Sequence, residues 1–269
     1  MNHWIAATLI GLLATMPVHA EPCNENGVRL QVLGSGGEAL VPGRAASGYL
    51  VWKDKRARLL VDTGSGVALR FRQSGADVEG LDAVLYTHHH VDHILGMDDL
   101  RSLNFFTGRD IPIYATRYTL ENIRRVFAYV FESETVVSDI PRVIPREITH
   151  RSFRVAGVTV QPVPVLHGDL PILGFRIGKF AYCTDVSHIP EESMALLEGL
   201  EVLLLGALRR KPHPTHFSLS QAVDAARRVK ARSTYLIHMS HDLGHAQTEA
   251  QLPENIRLAY DGLTLTIAE

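Results

Sequence analysis

The chain has 269 residues, 46% of them hydrophobic and 21% charged, with a mean hydropathy of +0.03. These values exclude a disordered chain and allow one large domain or two small ones. A formal net charge of −2 and a pI near 6.7 provide no basic surface, so nucleic acid is not expected as a partner, while a small anionic substrate held by metal ions is compatible.

The first twenty residues stand apart. WIAATLIGLLATM is apolar and small, Pro17 follows, and Val18-His19-Ala20 has the small-x-small pattern of a secretory cleavage site. The apolar run is shorter than the roughly 20 residues a membrane span needs, although no Lys or Arg precedes it. The expectation is a signal peptide over 1–20 cleaved after Ala20, one domain over 21–269, and a periplasmic or secreted product with no stable membrane anchor. Two cysteines, Cys23 and Cys183, allow a disulfide or two unpaired thiols.

Short apolar runs bounded by Gly, Pro and Asp then follow in strand-like lengths: 28–34, 47–52, 57–62, 82–87, 111–115, 153–163, 173–185, 201–207, 233–238 and 263–268. Helix-like stretches lie between them: VALRFRQS, TLENIRRVFAYVF, PEESMALLEGL and SLSQAVDAARRVK. The last carries apolar residues at Leu219, Ala222, Val223, Ala226 and Val229, and Ser218 with Gln221 has the spacing of a capping box. Strands in both hairpin and β-α-β contexts predict two sheets with helices outside. Asp62, His88, Asp185 and His238 each close an apolar run, where a strand fixes a side chain and the following loop keeps it accessible.

THHHVDH, residues 87–93, places four histidines and a carboxylate after a buried strand. If 88–90 are extended, His88 and His90 project to one side and His89 to the other. Asp92 and His93 then fall where a helix starts and can face a second position. Imidazole and carboxylate without thiolate suit Zn2+, with Mn2+ or Fe as the other candidates. His167 after VTVQPVPV, Asp185 after FAYC and His238 after TYLI are the further candidate ligands, and a carboxylate such as Asp185 has two oxygens with which to bridge two cations.

HHHVDH, LHGD, CTD and IHMSHD, in that order, resemble the metallo-β-lactamase superfamily over essentially residues 28–267. LGSGG, DHILGMDDLRSLNFF, IPIYAT, AYVFE, HFSLSQAVDAA and HMSHDLGH with LAYDGL are similar to the branch of the phosphoribosyl cyclic phosphate phosphodiesterases, to which the tRNA 3'-end processing endonucleases are related. The resemblance implies an α+β fold, an αββα sandwich of two mixed sheets flanked by helices. It implies two divalent metal ions, one on His88, His90, His167 and Asp185, the other on Asp92, His93, Asp185 and His238. His216, in HFSLSQ, matches the position of a catalytic histidine, and Asp92 and His216 are the residues expected to take part in catalysis. His213, His241 and His245 are candidates to line the pocket, and Asp98 and Asp99 to stand behind it or at a helix terminus.

The implied activity is hydrolysis of a small phosphodiester, cyclic ones included, by a water that two metals activate. Two features depart from the branch: EALVPGRAASGYLV lacks the cysteines of its extra structural zinc, and the leader points away from the cytoplasm. An exported β-lactamase or another ester or thioester hydrolase is the rival reading, although Asp185 supplies a carboxylate where β-lactamases usually have Cys or Ser. A non-catalytic metal-binding protein is the rival from another class. The expected partner is a small-molecule substrate, and a homodimer is allowed.

Overall fold

The computed structural model describes residues 27–37, 41–132 and 140–267; the expected signal peptide and Cys23 lie outside the described residues. One seven-stranded sheet is built from β1 (Val28–Gly34), β2 (Gly48–Lys53), β3 (Arg56–Val61), β4 (Ala83–Leu85), β5 (Ile111–Ala115), β6 (Val143–Glu147) and β14 (Thr264–Ile267), in the order β14-β1-β2-β3-β4-β5-β6. The other comprises β7 (Phe153–Val155), β8 (Val158–His167), β9 (Leu170–Ile177), β10 (Phe180–Cys183), β11 (Val202–Gly206), β12 (Ser233–Ile237) and β13 (Ile256–Leu258), in the order β13-β12-β11-β10-β9-β8-β7. Each sheet has an antiparallel half of meanders and a parallel half, β3 to β6 in one and β10 to β13 in the other.

Both faces of each sheet are covered, which is why strands such as β11 are buried at every position rather than alternating. Between the sheets lie Leu30, Val32, Tyr49, Val51, Phe175, Tyr182 and Leu204 among others. The outer face of the first sheet packs Leu50, Leu60 and Val84 against Phe71 of α1 (Val67–Gln73), Leu103 of α3 (Leu100–Thr107) and Ile123 of α4 (Arg117–Val126). Leu203 and Leu205 of the second sheet do the same with Leu197, just past α6 (Glu191–Leu196), and with Ala222 and Ala226 of α7 (Leu219–Val229). Burying one large apolar side chain contributes about 1.5–3 kcal/mol, so three such layers outweigh the strain described below. The result is the expected αββα sandwich.

The capping box predicted at Ser218 and Gln221 opens α7. Local structure departs from the sequence pattern in three ways. The runs 153–163 and 173–185 are each a hairpin rather than one strand, folded at Ala156-Gly157, both with positive φ, and at Gly178-Lys179. The 119–131 stretch breaks at Phe127 (φ −112°, ψ 43°) into α4 and a single turn, α5 (Ala128–Phe131). Short strands β6 and β13 carry too few apolar residues to announce themselves. Among the described residues no helix is long and apolar enough to cross a membrane.

Candidate metal centre

The strands deliver their terminal residues to one edge of the sandwich. Asp62 follows β3, His88 follows β4, His167 ends β8, Asp185 follows β10 and His238 follows β12. Asp62, Asp185 and His238 have φ of 58°, 54° and 56°, a left-handed turn that costs a non-glycine residue of order 1–3 kcal/mol and persists where surrounding packing holds it. His90 remains extended (φ −65°, ψ 149°) ahead of α2 (Val91–Ile94), whose single turn carries Asp92 and His93.

Two clusters result: His88, His90, His167 and Asp185, and Asp92, His93, Asp185 and His238, each with one donor atom per residue within 4.8 Å of the others. All seven residues singled out as ligands are brought together. His89 is not among them; its half-buried ring packs edge-on against Tyr118, centroids 5.3 Å apart.

The second cluster has the dimensions of a tetrahedral site. His93 Nε2 lies 3.4 Å from Asp92 Oδ2, 3.2 Å from Asp185 Oδ1 and 3.4 Å from His238 Nε2. His238 Nε2 lies 3.1 Å from Asp92 Oδ2 and 3.2 Å from Asp185 Oδ1. Four donors each 2.0–2.1 Å from a common centre stand about 3.3–3.4 Å apart. The first cluster is looser: His90 Nδ1 and His167 Nε2 are 3.2 Å apart, His88 Nε2 and Asp185 Oδ2 3.7 Å. Asp185 divides its oxygens, Oδ1 toward His93 and His238 and Oδ2 toward His88 and His216.

Hydrogen bonds behind the clusters turn imidazole lone pairs inward. His93 Nδ1 is 2.8 Å from Asp62 Oδ2, an obligate acceptor, so the proton sits on Nδ1 and Nε2 is free to ligate. His167 is set the same way by the Thr215 carbonyl at 2.7 Å. His88 Nδ1 donates to Thr87 Oγ1 at 3.0 Å, and that hydroxyl donates on to Asp62. His88 Nε2, buried, has no hydrogen-bond partner among the described residues, a cost that a cation at the cluster removes. These residues therefore fit two divalent cations.

Asp62, expected as a potential ligand, belongs to neither cluster. Fully buried, it accepts from the Thr87 amide at 2.9 Å, the Tyr182 hydroxyl at 3.0 Å and His93, and so orients one histidine of each cluster. Thr87, Tyr182 and Thr215 were not singled out in the sequence; the Thr87–His88 adjacency was the one local signal.

The electrostatics follow from burial among mixed charges. Burial resists ionisation of Asp92 and Asp185, yet neighbouring His93 and His238 outweigh it and hold both carboxyls well below the usual range. Burial, aided by nearby histidines, pushes the His88 and His167 imidazoles down and His90 down to about 4. His93 is held up: burial opposes its charge, but the carboxylates of Asp185, Asp62 and Asp92 prevail.

His216 stands beside the centre in the loop between β11 and α7. Its Nε2 is 3.2 Å from Asp185 Oδ2, and its Nδ1 is 2.9 Å from Thr215 Oγ1 and 3.1 Å from His213 Nδ1. The Thr215 amide donates to His213 Nδ1, so that nitrogen carries a lone pair, and both nitrogens of His216 face acceptors. Of the other candidates, His241 is exposed beside Asp242, and His245 lies on the surface at the start of α8 (His245–Glu249), edge-on to Tyr260. Asp98 accepts from Tyr129 and pairs with Arg101, and Asp99 precedes α3. Cys183 is buried and forms no disulfide among the described residues, its thiol pushed up to about 12 by burial.

Residues 57–239 match the family model described as a β-lactamase superfamily domain. Among solved structures, a new diphosphatase from the PhnP family is 38% identical, covering 89% of this chain and 97% of that one with a TM-score of 0.80. The short form of human tRNase Z is 19% identical, covering 90% of this chain and all of that one at a TM-score of 0.68, and speaks to the fold alone. Among curated proteins, an octanoyltransferase of Porphyromonas gingivalis is 36% identical over 234 residues, 84% of this chain and 46% of that protein. A ribonuclease Z of Methanopyrus kandleri is 36% identical over 86 residues, 32% of this chain and 30% of that protein. The chain thus spans less than half the length of these two curated relatives. Every residue of both clusters falls within the span that matches the family model, and the chain belongs to the metallo-β-lactamase superfamily of hydrolases.

Proposed function

We propose that the protein is a di-metal phosphodiesterase acting on a small phosphodiester, cyclic ones included, with His88, His90, His167 and Asp185 holding one cation and Asp92, His93, Asp185 and His238 the other. The observation that carries this reading is the division of Asp185 between two histidine clusters with His216 against its outer oxygen. Zn2+ suits both donor sets, three imidazoles and a carboxylate in the first cluster and two of each in the tetrahedral second, with Mn2+ or Fe as alternatives. Cations held there would lower the pKa of a water and polarise a phosphoryl oxygen.

The chain's own groups do the rest. Asp92, whose side chain is 23% exposed, accepts a hydrogen bond from the attacking water and orients it. His216 directs Nε2 to the centre while His213 and Thr215 hold Nδ1, so it can hand a proton to the departing alkoxide, a contribution of about 10² to 10⁴ in rate. The diphosphatase relative, similar over nearly its whole length, supports chemistry at phosphorus. A carboxylate at 185 weighs against a β-lactamase, and a formal net charge of −2 against a tRNA nuclease. We also propose export, on the leader sequence alone, with N-terminal sequencing of the mature protein as its test.

The reaction is tested with purified, metal-loaded protein against bis(p-nitrophenyl) phosphate, a cyclic phosphodiester, nitrocefin and a thioester. Turnover of the phosphodiesters is expected. Turnover of nitrocefin or the thioester alone contradicts the reading, and no turnover with both metals bound favours a non-catalytic metal-binding protein.

A further inference from the structure

A cavity of about 590 Å³ opens beside Asp92, lined by Gly37, Val41, Arg44, Ala45, Val91 and Leu95 among others. It is continuous with the candidate centre through Asp92, the least buried residue of the second cluster. Its walls are mostly apolar. Val91 and Leu95 are 56% and 46% exposed, although they flank a buried centre on the same turn as Asp92 and His93, an arrangement that leaves aliphatic surface facing whatever enters.

Among the described lining residues Arg44 is the one cation, and it is engaged elsewhere. Its Nη1 donates to the Ser240 carbonyl at 2.9 Å and its Nη2 to the Leu243 carbonyl at 2.6 Å, and burial lowers its pKa against the pull of Asp261. The guanidinium thus ties residues 41–46 to the loop after His238 and lines the cavity with two of its donors already committed to carbonyls. The loop itself is pressed against the centre, since a Cβ added at Gly64 would lie 2.6 Å from both Ala46 Cβ and the Asp92 carbonyl. The cavity wall and the centre are one packed unit.

Resting on the phosphodiesterase reading, we infer that this cavity receives one ester arm of the substrate and that the arm is an uncharged apolar alkyl or aryl group, not a sugar phosphate, nucleotide or carboxylate-bearing chain. The phosphoryl charge is met at the centre, and the arm is recognised by burial against Val41, Ala45, Val91 and Leu95. A second anionic group would enter an apolar cavity whose one cationic side chain among the described lining residues already donates to two carbonyls and whose rim carries Asp92, an arrangement that penalises it.

The test measures binding of methylphosphinates, anions with two P–C bonds and no ester bond to hydrolyse, to the metal-loaded protein by calorimetry, with the variable arm methyl, hexyl, phenyl or 2-carboxyethyl, and metal content recorded throughout. The hexyl and phenyl arms are expected to bind at least tenfold more tightly than the carboxyethyl arm. Leu95→Asp is expected to abolish that preference with two metals retained, and Leu95→Met to keep it. Carboxyethyl binding as tight as hexyl, or a preference unchanged in Leu95→Asp, overturns the cavity assignment alone. Failure of every phosphinate to bind with both metals in place overturns the phosphodiester reading and the assignment with it.

Discussion

Asp62 and His93 are joined by a fully buried contact of 2.8 Å between Oδ2 and Nδ1. The same carboxylate takes the Thr87 hydroxyl that receives His88 Nδ1, so one side chain that touches no proposed metal fixes the ring orientation of a ligand in each cluster. Asp62→Asn keeps the size and removes an acceptor oxygen. It is expected to weaken metal affinity by about 10- to 100-fold, the usual effect of losing a partner behind a ligand, and unpairing buried donors should cost about 1–3 kcal/mol of stability each. Chelator competition and urea unfolding measure the two effects, and unchanged affinity would refute the orienting role.

His216 lies outside both clusters, so removing it should separate chemistry from metal binding. His216→Ala is expected to lower kcat by about 10² to 10⁴ while metal content remains that of the parent protein. Loss of metal from this variant would instead make His216 a ligand.

His89 faces away from both clusters. His89→Ala should leave metal content and turnover near those of the parent and change stability by about 1 kcal/mol or less, because the half-buried ring packs on Tyr118 and its Nδ1 has no hydrogen-bond partner among the described residues. Differential scanning calorimetry with metal analysis checks this; a variant stripped of metal would contradict it.

Without metal, the centre should respond to acid. Burial lowers the pKa of His88, His89, His90 and His167, so between the ordinary histidine value of about 6.5 and the value of about 4 held by His90 the unfolded chain binds more protons than the native one. Stability then falls as pH falls through that window. His93, whose raised pKa acts in the opposite sense, is one group against four. Urea unfolding of metal-free protein should give lower stability at pH 5 than at pH 7.5; equal or greater stability at pH 5 would contradict the balance.

How much of this was legible in the sequence varies with how local the cause is. THHHVDH, the strand-end aspartates and the Ser218 capping box announce themselves because one strand or one helix turn fixes them. The hairpins at Ala156-Gly157 and Gly178-Lys179 were hidden, because each turns over two residues, too few to break the strand-like run on either side of it. Asp62 looked like another ligand: a strand-end carboxylate has the same local signature whether it points at a cation or at the histidine that would hold it. Only the placement of Thr87 and Tyr182 around it distinguishes the two.

The central claim, a pair of metals sharing Asp185, is tested most directly by metal analysis of the purified parent protein and of Asp185→Ala. The account predicts two divalent ions per chain in the parent, as the two clusters require, and one or none in Asp185→Ala, with phosphodiester turnover lost. Unchanged occupancy and activity in Asp185→Ala would contradict it.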